Sequence, residues 1–131
     1  MATILRQEDY PGYLYMINHG ATATWESWDS ERSRVHNCYN GIGTWFYQAL
    51  AGIRPDASSP GYRHFFIDPQ PTGGVTWVKA TKPTPYGDIS VEVADGQLHL
   101  TVPVGTTATV FPKTARQQTL PAGRWTIEQK K

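Results

Sequence analysis

The spacing of hydrophobic and polar positions changes once along the chain. Up to about residue 53 the apolar residues recur at helical intervals, and beyond it they alternate. Tyr10, Leu14 and Ile17 share a helical face, with Asp9 and Pro11 marking a start and Gly20 a stop. Ile42, Trp45, Phe46, Ala49 and Leu50 fall at i, i+3, i+4, i+7 and i+8, which predicts a helix over 37–51 ended by Gly52. Between the two lies a loop rich in Thr, Ser and charge, GATATWESWDSERSRVHN, and RPDASSPG at 54–61 reads as a connection. Short strands are then expected over 62–67, 75–81, 89–93, 98–104, 107–111 and 125–127, with Asp95-Gly96 as a hairpin turn.

This pattern predicts an α+β chain: two N-terminal helices over 1–54, then a small antiparallel β-sandwich over 61–131. Trp77, Tyr86 and Trp125 fall at strand positions and are expected to fill the sandwich core, and Lys79, Lys82 and Lys113 to be surface charges. Gly41 and Gly43, inside a helical pattern, suggest close packing. Two helices with one apolar stripe each cannot bury themselves alone. The helical part therefore reads as the last pair of a larger helical body.

Composition narrows the function classes. Twelve Lys+Arg against eleven Asp+Glu leave a net charge of +1, which gives no footprint for nucleic acid or for an anionic membrane. No apolar run approaches the ~18 residues of a spanning helix. No apolar leader is visible at the N-terminus, so the default compartment is cytoplasmic, although a C-terminal piece of a longer protein would carry no leader of its own. One cysteine, Cys38, excludes an internal disulfide. The scattered histidines offer no metal-ligand spacing, and P-loop, dinucleotide and nucleophile-elbow motifs are missing, so no metal or cofactor is expected.

The densest chemistry is Trp25-Glu26-Ser27-Trp28-Asp29, followed by Glu31, Arg32, Arg34 and His36. Indole faces stack on sugar C–H faces, and a carboxylate beside them can accept a proton from water. Partial burial between the indoles would make Glu26 a better base. On the residues alone the alternative stays open: Trp25 and Trp28 as packing residues, and Glu26 as a solvated or arginine-paired loop residue. Asp29 is expected to cap a helix or pair with Arg32 or Arg34. His36 is expected to open the second helix, facing a ligand or serving as a hydrogen-bonding residue, and Cys38 to be an inert packing residue.

The run YPGYLYMINHGATATWESWD, with SRVHNCYNGIGTWFYQALAGIRPD after it, resembles the end of the catalytic barrel of bacterial α-L-rhamnosidases. PGYRHFFIDPQPTGGVTWVKATKPTPYGDISVEV resembles the start of that family's C-terminal β-sandwich. The resemblance covers nearly the whole chain in the family's order. It implies an (α/α)₆ barrel of which the two helices are the remnant, and an inverting hydrolysis of rhamnose-containing glycosides. It implies that Glu26 is the general base, that His36 contacts rhamnose and that Trp28 walls the sugar pocket. The family's general acid and most of its barrel lie upstream of the region matched. Val35 stands where the family often has Asn, Cys38-Tyr39-Asn40 departs from its usual residues, and the loop from Glu26 to His36 is short for the family.

Three expectations follow. In the first the chain is the C-terminal portion of an α-L-rhamnosidase, active once the missing barrel, on a separate chain or in a longer one, supplies the acid. In the second the β-sandwich is a non-catalytic module binding carbohydrate or a partner chain. In the third the chain is a remnant without function, with Met1 as an internal restart. The stripe on the second helix either packs on the sheet or stays exposed and drives self-association.

Overall fold

Strict alternation decides the β-rich part of the chain. In β4, Ile89–Ala94, the residues Ile89, Val91 and Val93 are buried while Ser90, Glu92 and Ala94 are not, the period-two pattern of a strand with one face on a core. The computed structural model describes residues 2–129; Met1, Lys130 and Lys131, and with Met1 the restart reading, lie outside the described residues. The chain divides into two units, Met1–Gly43 and Thr44–Lys131.

In the first unit, α1 spans Ala2–Arg6 and α2 spans Tyr13–Asn18. α1 was not foreseen, and α2 starts later than the Asp9-Pro11 signal. Its inward residue is Met16, 2% exposed, whereas the expected stripe residues Tyr10 and Ile17 are 55% and 59% exposed. The stop falls as expected at Gly20. The Ala21 amide donates to the Met16 carbonyl (2.9 Å) and the Gly20 amide to that of Ile17 (3.0 Å), the paired bonds of a Schellman motif. Trp25, 4% exposed, is the second buried anchor of this unit.

The expected helix over 37–51 is shorter. Residues 37–41 are turns, α3 spans Ile42–Trp45, and Phe46–Leu50 winds on as a wider turn closed by the Ala51 amide on the Phe46 carbonyl (3.0 Å). Among the described residues a Cβ placed on Gly41 or Gly43 would meet nothing within 4 Å, so neither glycine marks close packing there. Within the second unit Trp45, Leu50 and Ala51 pack into the core, while Phe46 and Tyr47 remain 44% and 39% exposed. Gly52 ends this stretch at φ +70°, and its position admits no side chain, because a Cβ would lie 2.1 Å from the Asp68 carbonyl carbon.

The second unit holds β1 (Ile53–Pro55), a 3₁₀ turn (Pro60–Tyr62), β2 (His64–Ile67), β3 (Val78–Lys82), β4, β5 (Gln97–Val110) and β6 (Gln118–Glu128). Hydrogen bonding joins all six strands into one sheet in the order β1-β2-β5-β4-β3, with β6 paired to β5. Every pairing is antiparallel except β2 with β5, which is parallel and departs from the all-antiparallel expectation. The two strands expected over 98–104 and 107–111 are one strand, β5, carrying a register shift against β6 between Val102 and Thr107. Its first half pairs with β4 and its second with β2. The Thr106 hydroxyl donates to the Pro103 carbonyl (2.8 Å) and holds the irregularity.

β6 is far longer than the expected 125–127. Pro121 and Gly123 read as breakers, yet among the described residues β6 pairs only with β5, and an edge strand tolerates a proline facing outward. β1 lies where the sequence read as connection. The Asp95-Gly96 turn closes β4 onto β5 with positive φ at both residues, +50° and +75°, as a type I′ hairpin turn requires.

One apolar core joins Leu50, Ile53, Phe65, Ile67, Leu98, Leu100, Val110 and Leu120 to the inner face of β4. The aromatic expectation needs correction. Trp77 precedes β3, whose first residue Val78 points inward, so Trp77 points out and is 66% exposed; Tyr86 is 40% exposed. Only Trp125 packs against the core. Lys79 pairs with Glu92 (3.0 Å), and the Lys82 ammonium sits over the rings of Tyr47 and Tyr62, 5.7 and 5.5 Å from their centroids.

Candidate active site

Buried Trp25 fixes the start of the loop that carries the candidate residues. Two backbone bonds then close it: the Glu26 amide donates to the Ser33 carbonyl (2.8 Å), and the His36 amide donates to the Thr24 carbonyl (2.8 Å). The Thr24 hydroxyl reaches both the His36 carbonyl and the Asn40 carboxamide, the latter at 2.7 Å. The Cys38 thiol lies 3.5 Å from the Trp25 carbonyl and 3.6 Å from that of Glu26, positioned to donate to either. Cys38 is exposed and clasps the loop; it is not a packing residue.

Glu26 is held from its own loop. The Ser33 amide donates to Oε2 (3.4 Å), and Arg32 Nη1 stands 3.5 Å from Oε1. The arginine side chain is 71% exposed and the carboxylate 34% exposed, so the pair is weakly held and open to solvent. The ion pair of Arg32 is with Glu26; toward Asp29 its charge is the smallest of the lowering influences. Asp29 accepts from the Ser27 hydroxyl (2.6 Å) and the Glu31 amide (3.1 Å), a local turn in place of the expected cap or ion pair. The Ser27 hydrogen bond first, and then the Glu31 amide, hold its carboxyl below the usual range.

Trp28 belongs to an aromatic trio. Its indole stacks on Tyr39 (4.2 Å between centroids, 28° between planes) and meets Tyr13 edge-on (5.4 Å). The Tyr13 hydroxyl donates to the Tyr39 carbonyl (2.9 Å). Burial, and then the neighbouring Cys38 and Tyr39, raise the Tyr13 phenol above its usual range.

His36 precedes α3 by six positions and does not open it. Its Nδ1 accepts from the Cys38 amide (3.1 Å). His36 lines an open cleft of 510 Å³ with Ala23, Thr24, Val35, Asn37 and Asn40. Glu26 and Trp28 are not in its wall. The sequence reading missed Thr24 and Asn40; Thr24 lies in the GAT-x-T run that precedes the two tryptophans, the one signal that could have marked it. Among the described residues no three His, Cys, Asp or Glu side chains gather as a metal site, and no helix is long and apolar enough to cross a membrane.

The second unit offers a different surface. A cleft of 320 Å³ lies over β3 to β6, with the Lys79–Glu92 pair, Ser90, His99 and Arg124 in its wall. His99 is bonded to the Thr126 hydroxyl (3.1 Å).

The profile of the bacterial alpha-L-rhamnosidase C-terminal domain matches residues 52–124, and that of the six-hairpin glycosidase domain of the same enzymes matches residues 1–50. The chain belongs to the bacterial alpha-L-rhamnosidase family. It is 36% identical to an alpha-L-rhamnosidase of Alteromonas sp. (strain LOR), over 83% of this chain and 13% of that protein. It is also 36% identical to one from Streptomyces avermitilis, over 82% of this chain and 12% of that protein. Among solved structures it resembles the Aspergillus terreus enzyme (TM-score 0.86, 28% identity, 96% of this chain, 16% of that one). It also resembles the Streptomyces avermitilis alpha-L-rhamnosidase complexed with L-rhamnose (TM-score 0.81, 29% identity, 97% of this chain, 16% of that one). The chain spans about an eighth of the length of the rhamnosidases it matches in sequence and corresponds to their C-terminal region. The α+β expectation holds in its coarse form: short helices and a dominant six-stranded sheet.

Proposed function

We propose that this chain is the portion of an α-L-rhamnosidase that carries the general base, and that it hydrolyses terminal α-L-rhamnose with inversion once the rest of the barrel and its general acid are supplied. Glu26 takes a proton from water, and the water oxygen attacks the anomeric carbon. The acid, on the part outside this chain, protonates the departing glycosidic oxygen. His36 binds the sugar from the cleft, and Trp28, braced by Tyr39 and Tyr13, walls the pocket. Arg32 swings away from Glu26 at little cost, because the pair is exposed.

The observation that carries this reading is the placement of Glu26. Its carboxylate sits in a loop closed by two backbone bonds, one of them its own, and remains partly open to water. The binding of L-rhamnose by the Streptomyces avermitilis relative supports the sugar. The test is a fusion of this chain to the upstream region of that relative. Proton NMR during hydrolysis of an α-L-rhamnoside should show β-L-rhamnose as the first product; α-L-rhamnose first would overturn the inverting mechanism.

We take the functional division to lie at 1–54, the end of the barrel, and 61–131, the C-terminal domain. The break between the two profiles at 50/52 supports it. We read the sheet as a sandwich whose layers share β5 and β6, because β5 changes neighbour from β4 to β2 across the irregularity at 103–106. A second reading, a carbohydrate- or partner-binding module, draws on the polar cleft over β3 to β6. Titration of the full chain with rhamnosides and polysaccharides tests it; the absence of any amide shift on those strands would remove the sugar version.

A further inference from the structure

We propose that the main-chain amide of Cys38 fixes His36 as the neutral tautomer with its proton on Nε2, so that this imidazole meets a sugar as a hydrogen-bond donor. The tautomer follows from geometry alone; its use toward a sugar rests on the function proposed above. The Cys38 amide has one hydrogen and no lone pair to offer, and it points at His36 Nδ1 across 3.1 Å. Nδ1 must therefore present its lone pair, and the ring's one remaining proton sits on Nε2.

The arrangement is built and not incidental. The His36 main chain is pinned on both sides, its amide on the Thr24 carbonyl (2.8 Å) and its carbonyl under the Thr24 hydroxyl. Asn40 Oδ1, 2.7 Å from the same hydroxyl, is the other acceptor within reach of its one hydrogen. With the backbone fixed, the bond from Cys38 sets the orientation of the ring. Among the described residues Nε2 has no intrachain partner, and no Lys, Arg, Asp or Glu lines the cleft that His36 faces. A histidine donor in a cleft walled by Thr24, Asn37 and Asn40, with no formal charge in that wall, suits the hydroxyl oxygen of an uncharged sugar better than a carboxylate or phosphate. Cys38 is thus a positioning residue that acts on His36 through its amide, while its thiol clasps the loop.

The test is a long-range nitrogen–proton correlation spectrum of the ¹⁵N-labelled full chain at pH 8. The expected result is an unprotonated Nδ1 and a protonated Nε2 at His36, with scalar coupling between Nδ1 and the Cys38 amide nitrogen across the hydrogen bond. A dominant Nδ1–H form, or an imidazolium at that pH, would overturn the proposal. Cys38→Ser keeps the amide and should keep the tautomer. Cys38→Pro removes the amide hydrogen and should yield a mixture; a folded Cys38→Pro chain with an unchanged His36 spectrum would also overturn it. If that variant does not fold, the spectra of the wild type and Cys38→Ser decide. In the active fusion, Cys38→Pro should raise KM by about 2- to 10-fold, the worth of one neutral hydrogen bond, and Cys38→Ser, which keeps the amide, should raise it less. An unchanged KM with a changed tautomer would remove the role toward the sugar. An inactive fusion would count against the glycosidase reading and leave the spectra to decide the tautomer.

Discussion

The indole of Trp28 lies nearly flat on the phenol ring of Tyr39, with 4.2 Å between centroids and 28° between planes. Ten residues of a charged, polar loop lie between the two, so the stack closes the loop from one end to the other. Tyr13 braces it edge-on to Trp28 and through its hydroxyl on the Tyr39 carbonyl. The candidate sugar wall is therefore a product of the loop's own packing. Tyr39→Ala should remove about 0.5–1.5 kcal/mol of aromatic pairing in addition to the lost burial. Denaturant unfolding followed by tryptophan fluorescence measures it; an unchanged midpoint would mean that the stack contributes nothing.

Gly52 and Gly61 share a left-handed backbone, φ +70° and +78°, but differ in space. At Gly61 a Cβ meets nothing within 4 Å among the described residues, while at Gly52 it would lie 2.1 Å from the Asp68 backbone. Gly61→Ala should cost about 1–2 kcal/mol of backbone strain alone. Gly52→Ala should cost clearly more, or prevent folding, because backbone must move. Equal costs in thermal or denaturant unfolding would contradict the close approach.

Asp29 and Asp56 carry carboxyls held below the usual range, each first by a serine hydroxyl, from Ser27 and Ser58. A carboxyl lowered in the folded state adds stability above its unfolded pKa, about 3.9. That contribution fades as pH falls through the lowered folded value. Carboxyl carbon NMR should show both groups titrating below about 3.9, and Ser27→Ala should move Asp29 upward while leaving Asp56 in place. An unmoved Asp29 would show that the hydroxyl is not the cause.

Phe46 and Tyr47 remain 44% and 39% exposed on a stretch from which Trp45, Leu50 and Ala51 pack into the core. Their exposure should drive concentration-dependent association of the isolated chain. Sedimentation velocity should show species larger than a monomer, reduced by Phe46→Ser. A single monomeric boundary at all concentrations would contradict it.

Much of this architecture is written in local patterns. The alternation of 89–93, the Asp95-Gly96 turn and the stops at Gly20 and Gly52 depend on neighbours in sequence, and they stand where the pattern placed them. The misses depend on partners far along the chain. Pro121 and Gly123 argue against a strand until the edge position of β6 is known. Pro103 to Thr106 resemble a break until β6 bridges both halves of β5. Trp77 looks like core until the register of β3 turns it outward. At the candidate site, Glu26, Trp28 and His36 were legible through the resemblance to a family. An arginine partner for Glu26 was among the readings the residues left open, and Arg32 supplies it; the parts played by Thr24, Cys38 and Asn40 were not legible, because hydroxyl and amide partners leave no periodic trace.

The most direct measurement of the central claim is the hydrolysis rate of a chromogenic α-L-rhamnoside by the fusion of this chain to a relative's upstream barrel, with and without Glu26→Gln. The account predicts an active fusion whose kcat falls by about 10²- to 10⁴-fold in the variant, the usual contribution of a general base, with folding unchanged by circular dichroism. An active fusion that keeps its full rate in Glu26→Gln would contradict the assignment of Glu26 as the base.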